Sequence, residues 1–375
     1  MKLNLFCLGF SVLLLACDQA AELTPALPYE PSTKEITFRT ADHWQDDQMA
    51  TKGVAFDQFR EHDCFGLFAY YLPDGQWQDG VGKMPDFMHD QPVRMTLFDD
   101  TPIWEYTPVK YWPNSTLAKV KFYAYYPHRS QAAKNSLFVS ANDVAGAPTI
   151  TFIPHELTRF QSDFMTAAPI LADKTMPVVT PHFTHQLTQV VFSARHNGPA
   201  DYVVVITDIE IKGVKVPTYG TFCEPTAANN MQHFEWSDTY RPDPKTIHLT
   251  SKDRAELLPN TTEGQAELPS SQQVLPADEK YKMICSPYGT SFLSPQHFEE
   301  HELKLTVYFE LMVSGLDRPR VISLDVHTPA HEYQIGKRVH YHFTLDVLSL
   351  VSIDLDDVVY ENWVDAGVIA GETIE

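Results

Sequence analysis

Leu303, Leu305, Val307, Phe309, Leu311 and Val313 occupy every second position of one stretch, with Glu302, Lys304, Thr306, Tyr308, Glu310 and Met312 between them. A period of two sends alternate side chains to opposite faces, so this stretch predicts a long, half-buried β-strand. The same pattern recurs. Val120, Phe122, Ala124 and Tyr126 alternate with Lys119, Lys121, Tyr123 and Tyr125, and Ile209 and Ile211 alternate with Asp208, Glu210 and Lys212. Val339, Tyr341, Phe343, Leu345 and Val347 oppose His340, His342, Thr344 and Asp346, and Val351, Ile353 and Leu355 oppose Ser352, Asp354 and Asp356. Such strands predict sheets with one dry and one wet face.

Prolines and glycines interrupt these runs at short intervals, and helical periodicity is confined to brief pieces such as Ser251 to Leu258. The class is therefore mainly β, built as sandwiches. The polar stretch from Pro259 to Lys280 reads as a long loop. A domain boundary is expected in the segment Ala172 to Pro177, giving an N-terminal β-sandwich over 34–175 and a C-terminal one over 176–375.

The first 16 residues do not belong to that body. Lys2 precedes an apolar run that ends in Leu14-Leu15-Ala16-Cys17. A charged start, a short apolar core and small residues before a cut describe a signal peptide, and the run is shorter than the roughly 20 residues a membrane span needs. The cysteine at the cut makes it a lipobox, so residues 1–16 are expected to be removed and Cys17 to be acylated. Residues 17–33, stiffened by Pro25, Pro28 and Pro31, then form a tether between an outer-membrane lipid anchor and the folded body.

Composition narrows the function. The net charge of −21 argues against nucleic acid or an anionic membrane as a partner, since both need a basic surface. After Cys17 only Cys64, Cys223 and Cys285 remain, an odd number in a compartment that permits disulfides. One bridge can form, best drawn between Cys223 and Cys285 because both fall in the second half, although spacing does not fix connectivity. His182 with His185, His327 with His331, and His340 with His342 are close pairs, but no HExxH, Gly-rich phosphate loop or GxSxG accompanies them. The pairs read as solvated strand faces, with no catalytic residue, metal or cofactor expected. Asp46 with Asp47 and Asp99 with Asp100 read as turn residues.

Several segments together resemble a known family. Trp104-Glu105-Tyr106-Thr107-Pro108-Val109-Lys110-Tyr111-Trp112-Pro113, then Val120 to Pro127, resembles the fimbrillins of Bacteroides-type pili. Gln161 to Met165, Phe183 to Phe192, Ile209 to Val214 and Gly336-Lys337-Arg338 follow in the family's order. The aromatic cluster itself reads as core.

The resemblance implies two tandem transthyretin-like β-sandwich domains and a role as a pilus component. It implies export as a lipoprotein and cleavage after a basic residue, here Arg39 or Lys52, with local similarity favouring Lys52. The cut would remove a first strand around Glu35-Ile36-Thr37-Phe38, and a strand from another pilin subunit would fill the exposed groove by β-strand complementation. The segment Asp365 to Glu375, with its glycines and few large apolar groups, departs from a good donor strand. That departure leaves a tip or accessory position open, and beside it a monomeric surface lipoprotein binding a glycan or a host protein.

Overall fold

The computed structural model describes residues 29–40 and 59–362, apart from interruptions at 78–82, 100, 177, 200–201, 217, 225–232, 238–243, 250–272, 277–281, 284–289, 314, 316–317 and 349–351. Among the described residues the fold is almost entirely β-strand, with one 3-10 turn at Thr158–Phe160. The expected helix at 251–258 lies outside the described residues.

In chain order the strands are β1 (Pro31–Glu35), β2 (Cys64–Leu72), β3 (Met88–Phe98), β4 (Thr101–Glu105), β5 (Tyr111–Pro113) and β6 (Lys119–Tyr126). Then come β7 (Leu137–Val139), β8 (Thr149–Phe152), β9 (Met165–Ala172), β10 (Phe183–His185), β11 (Thr188–His196) and β12 (Val203–Val214). Next are β13 (Thr218–Phe222), β14 (Phe234–Trp236), β15 (Lys245–His248), β16 (Gln273–Pro276), β17 (Lys282–Met283) and β18 (Ser291–Leu293). Last are β19 (Gln296–Phe298), β20 (Lys304–Met312), β21 (Arg320–His327), β22 (His331–Tyr333), β23 (Lys337–Asp346) and β24 (Ser352–Asn362).

Two sheets dominate. One has six strands in the order β10-β9-β6-β2-β3-β4, and the other has ten, with β21-β20-β12-β16-β11-β23-β24 as its spine. A four-stranded sheet, β14-β13-β8-β7, takes strands from both sides of residue 175. The alternation read from sequence holds in the large sheet: Leu305, Val307, Phe309 and Leu311 of β20 and Val339, Tyr341, Phe343 and Leu345 of β23 are all buried in one core cluster.

In β12 the inward parity changes partway. Ile206 and Ile209 both face the core three residues apart, because the register against β20 slips between Ile206 and Asp208. One extra residue, Thr207, bulges out there and resets which side chains point inward.

Two expectations need correction. The stretch 259–280 is not all loop, since β16 pairs antiparallel with β12 at Val204↔Val274 and parallel with β11 at Arg195↔Leu275. Nor do β2 and β6 have a wet face. Phe65, Leu67, Ala69, Val120 and Phe122 enter one cluster, while Phe68, Tyr70, Tyr123 and Tyr125 enter another on the reverse side. Tyrosines carry most of their area as ring and bury readily once the hydroxyl has a partner, as Tyr70 has in the Gly146 carbonyl at 2.8 Å. Lys121 is buried on that side too, with Nζ 2.6 Å from Glu224 Oε1.

A second bulge tightens β12. Its register against β15 slips between Lys212 and Val214, leaving Gly213 at a positive φ of 102°, where a Cβ would stand 2.4 Å from the Glu302 carbonyl oxygen. An alanine there meets both a disfavoured backbone conformation and an immovable main-chain atom. Gly213→Ala is expected to lower unfolding free energy by about 2 kcal/mol or more, read from urea denaturation with an unchanged slope.

Candidate functional site

A sheet buried on both faces needs two covers. The four-stranded sheet and its aromatic residues supply one, over Phe68, Tyr70, Tyr123 and Tyr125. On the other face, residues 31–39 lie over Phe65 and Phe122 together with the chain around Trp104 to Trp112. That segment is the candidate site.

β1 is mostly exposed, as five polar or proline residues predict, and Pro31 at its first position needs no ladder donor. It pairs antiparallel with β5 at Pro31↔Pro113 and Glu35↔Tyr111. The apolar residues follow it: Ile36 is 1% and Phe38 6% exposed, with the polar Thr37 between them on the outside. The expected strand at 35–38 is therefore continuous with a paired segment that begins at Pro31.

Beyond β1 the segment is bonded on two sides. The Ile36 N–H donates to the Lys110 carbonyl at 3.0 Å, and Phe38 bridges antiparallel to Trp104. On the opposite side Phe38 bridges parallel to Val179: the Val179 N–H donates to the Thr37 carbonyl at 2.9 Å, and the Arg39 N–H donates to the Val179 carbonyl at 3.0 Å. Residues 36–39 thus run extended, bridged at Phe38 to the chain on both sides.

Its apolar side is held by edge-to-face aromatic contacts. The Phe38 ring lies 5.4 Å from Tyr106, 6.0 Å from Phe65 and 6.0 Å from Phe122. Burial of Ile36 and Phe38 contributes about 1.5–3 kcal/mol each, and the ring contacts about 0.5–1.5 kcal/mol more per pair. The Tyr106 hydroxyl donates to the Ile36 carbonyl at 2.9 Å and accepts from the Lys110 N–H at 3.2 Å, stitching the segment to the groove wall. Burial pushes that phenol up to about 12.

Arg39, one of the two expected cleavage positions, has an exposed side chain at the end of this slot, and its peptide N–H is the one bonded to Val179. Proteolysis there needs that bond opened first. Cys17 and Lys52 lie outside the described residues. Cys223 is half-buried, its thiol pushed up to about 11 by burial and then by Glu235 and Glu224, while Cys285 lies outside the described residues. Cys64 is a free, buried thiol in β2, also raised to about 11, chiefly by burial.

The histidine pairs do not converge on solvent-facing metal geometry. His182 is exposed and His185 buried, with Nδ1 2.6 Å from Asp163 Oδ2. His327 is exposed against the His301 ring, whereas both ring nitrogens of buried His331 are engaged, by the Pro329 carbonyl at 2.8 Å and the Tyr341 hydroxyl at 2.7 Å. The His340 and His342 rings lie with centroids 4.1 Å apart, tilted at 33° to one another. His340 is buried, not solvated as the sequence reading has it, and its Nε2 is 2.6 Å from Ser193 Oγ.

What the sequence reading did not single out is the second wall of the slot. Val179 makes an isolated bridge and belongs to no alternating run, so no periodicity marks it. Trp104 and Trp112 are core, as the sequence indicates, with Tyr106 half-buried against them, and residues 31–39 lie over that core.

The family model described as Fimbrillin-like matches residues 53–363. Among solved structures, a fimbrial protein from Bacteroides vulgatus is similar at 18% identity and a TM-score of 0.55, covering 80% of this chain and 93% of its own. A candidate cell adhesion protein from Bacteroides uniformis is 13% identical with a TM-score of 0.45, covering 88% of this chain and 98% of its own. No curated protein matches. The first of these likenesses establishes a shared β fold.

Phe38→Ala is expected to cost about 3 kcal/mol and to speed amide exchange at Ile36 and Val179 selectively, checked by urea denaturation and hydrogen-exchange mass spectrometry. A pH effect follows from His340, whose pKa is lowered to about 4 by burial and then by His342. An unfolded histidine titrates near about 6.5, so the unfolded chain binds the extra proton first. Stability from this residue is complete above about 6.5 and is lost as pH falls towards about 4. His340→Asn is expected to flatten that part of the stability profile in urea melts at stepped pH.

Proposed function

The chain belongs to the fimbrillin-like family, and on that premise we propose that it is a structural subunit, or a tip or accessory component, of a surface pilus involved in cell adhesion. The family is one of structural, non-enzymatic proteins. The single observation that carries the assembly part of this reading is the slot: residues 31–39 cover an apolar groove as an extended segment, paired with β5, bridged to Trp104 and Val179, and ending at a basic residue.

In this reading the protein is exported as a lipoprotein acylated at Cys17 and reaches the outer membrane on that anchor. A protease cuts after Arg39 or Lys52. Either cut severs residues 31–38 from the body and frees them to leave with the lipid. The vacated groove would expose Phe65, Trp104, Tyr106 and Phe122 to water, an unfavourable state that a strand from another pilin subunit relieves. Backbone bonds to the Lys110 and Val179 edges would fix its direction, and large side chains at the positions of Ile36 and Phe38 would set specificity. A head-to-tail contact of that kind does not close on itself and makes a filament. The division into sandwiches at 34–175 and 176–375, and a bridge between Cys223 and Cys285, belong to the same proposal.

A second reading draws on β24. It is paired along its length with β23 inside the chain, from Asp346↔Ser352 to Lys337↔Asn362, so these residues are already used as a sheet strand. A subunit whose last strand among the described residues serves its own sheet fits a tip or accessory position. It also fits a lipid-anchored surface protein that remains monomeric and binds a glycan or host protein.

Trypsin treatment of the folded chain separates the two. Cleavage after residue 39 or 52, followed by boiling-resistant ladders on gels, is expected for the pilus subunit. The double variant Arg39→Ala, Lys52→Ala is expected to stay intact and monomeric. Cleaved protein that keeps its first strand and never assembles supports the monomeric reading instead.

A further inference from the structure

Two carboxylates and an imidazole meet on the face of β12 turned away from the core. The Thr207 bulge sets them there. With Ile209 and Ile211 buried on the inner face, Asp208 and Glu210 share the outer one. β15 then pairs Glu210 directly with His248, delivering an imidazole beside both carboxylates. His248 Nδ1 lies 3.1 Å from Asp208 Oδ2 and 3.5 Å from Glu210 Oε1, and the three donor atoms all fall within 4.8 Å of one another.

Those spacings fit a small cation. Metal–donor bonds of about 2.0–2.1 Å in tetrahedral geometry put neighbouring donors roughly 3.3–3.4 Å apart. The side chains are sheltered, with His248 at 11% and both carboxylates at 16% exposure, so a bound ion would be partly desolvated. Glu210 is also oriented from behind. Its Oε2 accepts from the Tyr308 hydroxyl at 2.9 Å and lies 2.7 Å from Lys212 Nζ, while Oε1 faces the histidine. Lys212 is in turn anchored to Thr306 Oγ1 at 2.9 Å, whose own hydroxyl donates to Asp325 at 2.7 Å. Hydrogen bonds of this outer kind are what fix a ligand's direction in metal sites.

The charges agree. The two carboxylates carry −2 and Lys212 offsets one, leaving a net negative charge for a cation to meet. Imidazole with carboxylate suits zinc and its first-row neighbours better than calcium or magnesium, which prefer oxygen donors alone.

We propose that Asp208, Glu210 and His248 form a three-ligand site for a divalent transition metal of the zinc class, with its fourth position open, clamping β15 to β12. The site stands apart from the groove at residues 31–39, and either can fail without the other. The competing account of the same contacts is a plain His–Asp ion pair with no affinity for metal.

Cobalt(II) is the probe, because a tetrahedral site gives it a visible absorption band. Titrating the purified, metal-stripped, tag-free chain is expected to give one such band, saturating at one equivalent and displaced by zinc, with zinc also raising Tm. Asp208→Asn and His248→Ala are each expected to weaken binding about tenfold or more, while His340→Ala leaves it unchanged. Glu210→Gln, close to isosteric, supplies the same test if His248→Ala does not fold. A chain that shows no band has the ion pair only, and the proposal is wrong. A band that survives Asp208→Asn and Glu210→Gln, or that disappears with His340→Ala, locates the metal elsewhere and overturns it equally.

Discussion

The burial of Ile36 and Phe38 over β2 and β6 is the contact on which the rest of the N-terminal architecture depends. β2 is buried at every position and β6 at nearly every one, so the six-stranded sheet presents apolar surface on both faces. Each face must be covered or the sheet exposes a patch far larger than soluble monomers tolerate. One cover is a sheet drawn from distant parts of the chain and cannot leave without unfolding. The other is a segment near the chain's beginning, held by two apolar side chains, a short ladder and a handful of main-chain bonds. The fold therefore has one cover built from distant strands and one built from a short segment.

The bonds of the segment to Lys110 and Val179 are with main-chain groups and make no demand on its side chains. Any extended segment can replace them. Only the pockets taken by Ile36 and Phe38 are selective, and their walls are aromatic: Phe65, Tyr106 and Phe122 around Phe38. The proposed exchange of one strand for another would keep the hydrogen bonds and the aromatic contacts while changing which molecule supplies them. The large sheet takes no part in this slot. Its core of β12, β20 and β23 is continuous, and β24 is already engaged against β23.

Much of this was legible along the chain. β20 and β23 follow their alternation almost residue for residue, because each packs one face on the core and leaves the other half-exposed. β6 was found as a strand but misjudged as one-sided, since Lys121, Tyr123 and Tyr125 read as polar until a second sheet is seen to cover them. The bulge at Thr207 hides from periodicity by changing its phase. β16 lay within a polar stretch whose composition suggested only loop. For the candidate sites the limit was distance in sequence. Phe38 meets Val179, and Glu210 meets His248, only through strand registers that no local pattern encodes.

The proposed loss of residues 31–39 gives the expected lipid anchor at Cys17 a conditional meaning. An acyl chain on Cys17 would be a lasting anchor only while residues 31–39 stay in their slot and the chain that follows them stays uncut. Mass spectrometry of the N-terminus in protein recovered from surface filaments tests this most directly. The account predicts a start at Thr40 or Gly53, with the first strand gone and the groove refilled by another subunit. Filament-borne protein that begins at an acylated Cys17 and retains residues 31–39 would contradict it.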